Sequence, residues 1–184
     1  MREAAVAPPP RRRASEMKPL WAPWRMEFIL GEDKPEGCIL CDKPAAGPDR
    51  HKDNLILVAR PRAFVMMNRF PYTNGHLLVA PRTHVPAPAG LSPDDHVALW
   101  NLVRDAIEAL RRALHPEGLN VGINLGRCAG AGIEAHLHVH VVPRWSGDTN
   151  FMPVLGDVRV MPEYLERTYE RLLPEFAPLG VSVP

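Results

Sequence analysis

Three histidines alternate with apolar residues in the stretch from Ala135 to Trp145, A-H-L-H-V-H-V-V-P-R-W. Successive side chains of an extended chain point to opposite faces, so His136, His138 and His140 share one face and Leu137, Val139 and Val141 the other. An imidazole face makes a poor core, because each ring brings nitrogens that need partners when buried. It makes a good reactive surface. A neutral imidazole is a nucleophile, a proton donor or acceptor and a metal ligand, and a rigid strand fixes the spacing of all three. An edge strand with solvated histidines, or a fortuitous metal cluster, would carry the same pattern.

Two other groups of residues bear on the chemistry. Gly126-Arg127-Cys128-Ala129-Gly130-Ala131-Gly132 leads directly into the histidine stretch. Its glycines allow backbone N–H groups to converge on an anion and a phosphate to approach closely, while a flexible hairpin connection is the plainer reading. Cys38-x-x-Cys41 has the spacing of two thiolates on one tetrahedral zinc, which is half a site. The other ligands must come from His51, His84 or whichever triad histidine faces that way; a redox pair and two buried thiols are the alternatives. Trp145 either stacks on a base or caps the edge of the core.

The elements that must hold these residues follow from periodicity. Asn54 to Ala59 and Ala63 to Met67 read as strands joined by a tight turn at Arg60-Pro61-Arg62, and Gly75 to Ala80 as a third. Asn68 ends the second strand and His76 opens the third, with Pro71 and Asn74-Gly75 turning the chain between them, so both side chains fall at one rim of the sheet. Pro81, Pro86 and Pro88 stop the sheet, leaving His84 in the exit loop. Ser92-Pro93-Asp94-Asp95 is a helix start, with a cap, a proline at the first position and two acids in the positive first turn. Val97, Trp100, Val103, Ile107, Leu110 and Leu114 then recur at helical spacing, which predicts a helix covering the sheet with Trp100 in the core and His96 on the surface. His115-Pro116-Glu117-Gly118 ends it, and Asn120 to Asn124 is extended again. Pro162 to Phe176 reads as a second amphipathic helix with Tyr164, Leu165, Tyr169 and Leu172 or Leu173 on its apolar side.

Composition bounds the class. With 184 residues, 46% hydrophobic and 23% charged, the chain suits one soluble globular domain with tails. A net charge of +1 argues against nucleic acid or an anionic membrane as partner, so an anionic substrate must be recognised locally. Three cysteines make no secreted disulfide framework, and a reducing cytoplasm fits them better. No apolar run is long enough to span a bilayer. Met1 to Ser15, with Pro8-Pro9-Pro10 and Arg11-Arg12-Arg13, reads as a disordered tail, and Met17 offers an alternative start. Residues 1–16 are thus expected to be tail, 17–176 one domain and 177–184 a frayed end. Leu20 to Leu30, dense in aromatic and apolar residues, is expected to pack onto the body or cover a pocket.

The run His136-Leu137-His138-Val139-His140-Val141-Val142 resembles the signature of the histidine triad (HIT) family of nucleotide hydrolases and transferases. The resemblance extends from about Cys38 to Trp145 and takes in G-H-L-L-V-A-P-R-T-H from Gly75 to His84. The flanking Leu20-Trp21-Ala22-Pro23-Trp24-Arg25-Met26 and Val142 to Phe151 are similar to the bacterial branch that contains diadenosine tetraphosphate phosphorylases. The resemblance implies an α+β fold with a five-stranded antiparallel sheet, a long covering helix and a C-terminal helix, usually dimeric. It implies that His138 attacks an α-phosphorus to form a nucleotidyl-histidine, with His140 positioning the phosphate and His76 supporting the triad. Asn68 and Asn124 would contact ribose or phosphate, and the loop Gly130, Ala131, Gly132 would offer backbone donors. Zinc-containing members imply a structural zinc on Cys38, Cys41, His84 and His136, with no metal needed for catalysis; His51 in the fourth place would instead free His136 to orient His138. The reaction expected is diadenosine tetraphosphate plus inorganic phosphate giving ADP and ATP. Hydrolysis of dinucleoside polyphosphates or adenylated small molecules, and nucleotide binding without catalysis, are the alternatives.

Overall fold

The computed structural model describes residues 37–148 and 163–179. The expected N-terminal tail, the aromatic segment Leu20 to Leu30, Thr149 to Phe151 and the expected helix start at Pro162 lie outside the described residues. Five strands, β1 (Ile56–Ala59), β2 (Ala63–Met67), β3 (Leu77–Pro81), β4 (Gly118–Ile123) and β5 (Val139–Arg144), form one antiparallel sheet in the order β1-β2-β3-β5-β4. Among the described residues three α-helices pack with it: α1 (Ile39–Ala45), α2 (Pro93–Leu114) and α3 (Leu165–Phe176). This is the α+β architecture that the resemblance implies.

The strands β1 to β3 are buried throughout, because both of their faces are covered. On the back, Val65, Val79, Val139 and Val141 meet Leu99, Leu102, Val103, Ala106 and Leu110 of α2, and Tyr169, Leu172 and Phe176 of α3. On the front, Leu40 of α1 closes over Ile56, Phe64, Met66, Leu78 and Ala80. Leu137, Val139 and Val141 all join the back cluster. That apolar anchorage turns the intervening histidines to the front, as the period of two requires.

The start of α2 forms as its sequence dictates: Ser92 Oγ accepts from the Asp95 backbone N–H at 3.1 Å, and His115 ends the helix in the left-handed conformation at φ 48°. The expected position of Trp100 does not hold. Trp100 is 41% exposed and Val97 58%, while Leu99, Leu102, Ala106, Ala109 and Ala113 face the sheet. The three alanines let the helix axis approach the strands, leaving no room for an indole, so the buried stripe keeps Val103, Leu110 and Leu114 but passes by Val97 and Trp100. Tyr164 is likewise exposed. It caps α3 from an extended conformation, before the helical periodicity begins.

Cys38 immediately precedes α1, and its carbonyl accepts from the Cys41 and Asp42 N–H groups at 2.8 and 2.9 Å. That first turn places both thiols on one side of the chain. The β2–β3 connection is fixed at Gly75 (φ 77°), where a side chain would run into Leu114.

Candidate active site and metal centre

The front of β5 and its approach gather the three histidines. His136 and His138 precede the regular strand, His140 lies within it, and His136 and His138 are almost wholly buried. His138 Nδ1 lies 2.8 Å from the His136 carbonyl oxygen. A carbonyl only accepts, so Nδ1 carries the proton and the neutral ring keeps its lone pair on Nε2. Burial holds the His138 pKa below the ordinary histidine value, against the opposing pull of that hydrogen bond.

A second chain of hydrogen bonds sets the tautomer of His140. The Tyr72 backbone N–H donates to His76 Nδ1 at 3.1 Å, and the Asn68 amide Nδ2 lies 3.3 Å from the same atom. His76 Nδ1 is therefore an acceptor and its proton sits on Nε2, which faces His140 Nδ1 at 3.0 Å. Neutral His140 then carries its own proton on Nε2. The rings of His138 and His140 are 4.9 Å apart and nearly perpendicular, which puts one imidazole lone pair beside one imidazole donor.

The remaining histidine belongs to a different constellation. His136 Nε2 is 2.9 Å from the Pro81 carbonyl oxygen, so it is the protonated nitrogen and Nδ1 is the one with a lone pair. That Nδ1 lies 3.3 Å from Cys38 Sγ and 3.4 Å from Cys41 Sγ, and His84 Nδ1 lies 3.3 Å from Cys41 Sγ. The four ligand atoms all fall within 4.8 Å of one another. A tetrahedral zinc with sulfur at about 2.3 Å and nitrogen at about 2.0 Å would separate its ligands by roughly 3.3–3.8 Å. The donor set therefore fits the ion in type and number, and the three close contacts match its spacing. The Pro81 hydrogen bond orients His136 as outer-shell partners of metal-bound histidines do. Burial, the adjacent Cys38 thiol and the Asp42 carboxylate push the Cys41 pKa up to about 11, so Cys41 ligates well only beside a cation. His51 is not part of this cluster; it lines a separate cavity of about 390 Å³ with Tyr169 and Phe176.

Residues 49–147 match the HIT domain family. The chain belongs to that family. This HIT protein is 34% identical over 167 residues to the AP-4-A phosphorylase of Mycobacterium tuberculosis (strain CDC 1551 / Oshkosh), covering 88% of this chain and 86% of that protein. It is also similar to the crystal structure of a Zn-bound histidine triad family protein from Mycobacterium smegmatis, with a TM-score of 0.55, 28% identity and coverage of 68% of this chain and 85% of that one. A hypothetical histidine triad nucleotide-binding protein from Sulfolobus tokodaii strain7 shares the fold, with a TM-score of 0.59 at 22% identity over 77% of this chain and 93% of that one.

The other substrate-contact candidates of this HIT protein are placed less uniformly. Asn124 borders a cleft beside His140, and its Nδ2 reaches the Gly130 carbonyl at 3.4 Å. The glycine-rich loop closes on itself: Gly130 N–H donates to Arg127 and Ala131 N–H to Gly126, at 2.9 and 3.3 Å. Two of the backbone donors expected to face an anion are thus directed into the loop, and Gly132 forms the bend that follows. Trp145 is half-buried and packs against the back core, the core-edge placement of the two expected for it. Asn68 sits against His76, and its Oδ1 accepts from the Phe70 N–H at 3.0 Å. Sequence reasoning passed over Tyr72, whose backbone fixes His76 and whose ring stacks on His140 at 5.8 Å. It read Asp95 only as a first-turn acid of α2, whereas the carboxylate also ties Thr83, the neighbour of His84, to Ser92 and Arg62. Tyr72 contributes through its main chain, which leaves no mark in a residue pattern.

Proposed function

We propose that this HIT protein is a nucleotidyl transferase that cleaves dinucleoside polyphosphates through a covalent nucleotidyl-histidine on His138, with inorganic phosphate as the preferred acceptor. The observation that carries the reading is the pair of opposed tautomers: a lone pair on His138 Nε2 beside a proton on His140 Nε2. His138 attacks the α-phosphorus; the P–N bond forms as the P–O bond to the leaving polyphosphate breaks, and that oxygen departs with the electron pair. An acceptor oxygen then attacks the same phosphorus and returns the lone pair to Nε2. His140 donates to the developing charge, and His76 keeps it in the donating tautomer. The likeness to the Mycobacterium tuberculosis AP-4-A phosphorylase supports diadenosine tetraphosphate as substrate, with ADP and ATP as products. Asn68 and Asn124, on either side of His140, are the polar contacts available to ribose and phosphate.

Cys38, Cys41, His84 and His136 hold a structural zinc in this reading. Bound there, the ion joins α1 to the approach of β5 beside His138, and its four protein ligands leave no coordination position for substrate. The protein is a homodimer. Among the described residues β4 is paired on one side only, and Val121 on it is 40% exposed, so the strand offers an edge for a second copy.

Chromatography of products from diadenosine tetraphosphate, with and without phosphate, tests the reaction. Phosphate-dependent ADP plus ATP is expected. AMP plus ATP regardless of phosphate would make the protein a hydrolase, and no products, with binding retained, would reduce it to a nucleotide-binding protein.

A further inference from the structure

A cleft of about 460 Å³ runs along the front of β4 and β5, away from the cysteine cluster, and one end of it is His140. Strand alternation builds its floor: His140, Val142 and Arg144 share a face of β5, and Asn120 and Gly122 of β4 sit opposite Val142 and His140. Tyr72 and Thr73 form the wall. At the far end Arg144 is held flat, with Nε and Nη2 on Asp148 at 2.5 and 2.8 Å and Nη1 on the Asn120 amide oxygen at 2.8 Å. Asp148 balances the guanidinium charge, so this end is no trap for a bare phosphate. A planar guanidinium beside amide groups suits an uncharged, flat, hydrogen-bonding group such as a nucleoside.

The other side of His140 is different. There the front of β1 to β3 is covered by Leu40 of α1, and His76 and Asn68 stand beside the reacting pair. In-line displacement requires the leaving oxygen to depart opposite the attacking nitrogen, so the two halves of a dinucleoside polyphosphate lie on opposite sides of the phosphorus.

We propose that the β4–β5 cleft is the leaving-group subsite, which seats the nucleoside end of the departing nucleoside polyphosphate between Tyr72 and Arg144. The acceptor phosphate enters by the same cleft, because the second displacement retraces the path of the first. This deepens the nucleotidyl-transfer reading and rests on it.

Gly122 gives a test that spares the fold, since a Cβ there would meet no atom within 4 Å. Gly122→Val and Gly122→Leu put bulk into the cleft directly opposite His140, so any effect on the reacting histidines themselves is read separately with a small donor. Each variant and the wild type are assayed with diadenosine tetraphosphate and with adenosine 5′-phosphofluoridate. In the second donor the P–N bond forms as the P–F bond breaks, and fluoride takes the electron pair and needs no subsite. The ratio of kcat/KM for the large donor to that for the small one is expected to fall roughly tenfold or more, corresponding to about 1.4 kcal/mol of lost transition-state binding. An unchanged ratio would overturn the subsite while leaving nucleotidyl transfer standing. A wild type that cleaves neither donor would overturn both.

Discussion

His76 Nε2 lies 3.0 Å from His140 Nδ1, and the Tyr72 N–H on the other nitrogen of His76 decides which of the two rings donates. A histidine outside the triad thereby sets the protonation of one inside it. His76→Ala removes that control, and kcat is expected to fall about 10- to 100-fold with a smaller change in KM. His76→Gln, which keeps an N–H donor near His140, should recover part of the loss. Steady-state kinetics of the two variants check this, and equal losses in both would show that His76 serves packing alone.

Cys41 and His136 share a cluster in which the Cys41 thiol is a poor ligand until a cation arrives, its pKa raised to about 11 by burial, Cys38 and Asp42. Metal binding must therefore release protons, and zinc affinity should weaken as pH falls. Cys38→Ser should lose the metal in elemental analysis and unfold about 5–10 °C lower, whereas Cys128→Ser, an exposed thiol outside the cluster, should retain metal content and Tm. Full metal content in Cys38→Ser would contradict the assignment.

Asp95 accepts from Arg62 at 2.8 Å, Ser92 at 2.8 Å and Thr83 at 3.2 Å, and joins the start of α2 to the loop that carries His84. The Arg62 guanidinium first, then Ser92 and Thr83, hold its pKa below the ordinary carboxylate value, against desolvation. A depressed folded-state pKa means that the unfolded chain binds more protons between the two values. Its contribution is present in full above the unfolded value, near 3.9, and is lost as pH falls through the folded one. Melting curves should show wild type above Asp95→Asn at neutral pH, with the gap narrowing as pH falls below about 4. A constant gap would mean that the carboxylate charge is not what stabilises the joint.

Most of the sheet was legible because its signals are local. Alternation at His136 to Val141 fixed which side faced forward, and Ser92-Pro93 marked the start of α2 to the residue. The face of α2 was read rightly at Val103, Leu110 and Leu114, which are buried, but wrongly at Val97 and Trp100, because Ala106, Ala109 and Ala113, weak as hydrophobic markers, carry part of the stripe that fits against the strands. In the site, the residue types were legible and their protonation was not. The histidine tautomers depend on carbonyls of His136 and Pro81 and on the Tyr72 N–H, main-chain groups that every residue possesses. The glycine loop was read from its permissive residues, but permission does not say where N–H groups point, and Gly130 and Ala131 point theirs inward.

The most direct test of His138 as nucleophile is intact-protein mass spectrometry after brief reaction with diadenosine tetraphosphate and a rapid alkaline quench, which preserves the acid-labile P–N bond, followed by peptide mapping at alkaline pH. One adenylyl group on His138, absent from His138→Ala and discharged on adding phosphate, is the predicted result. Turnover by wild type with no adenylylated histidine, or undiminished turnover by His138→Ala, would contradict it.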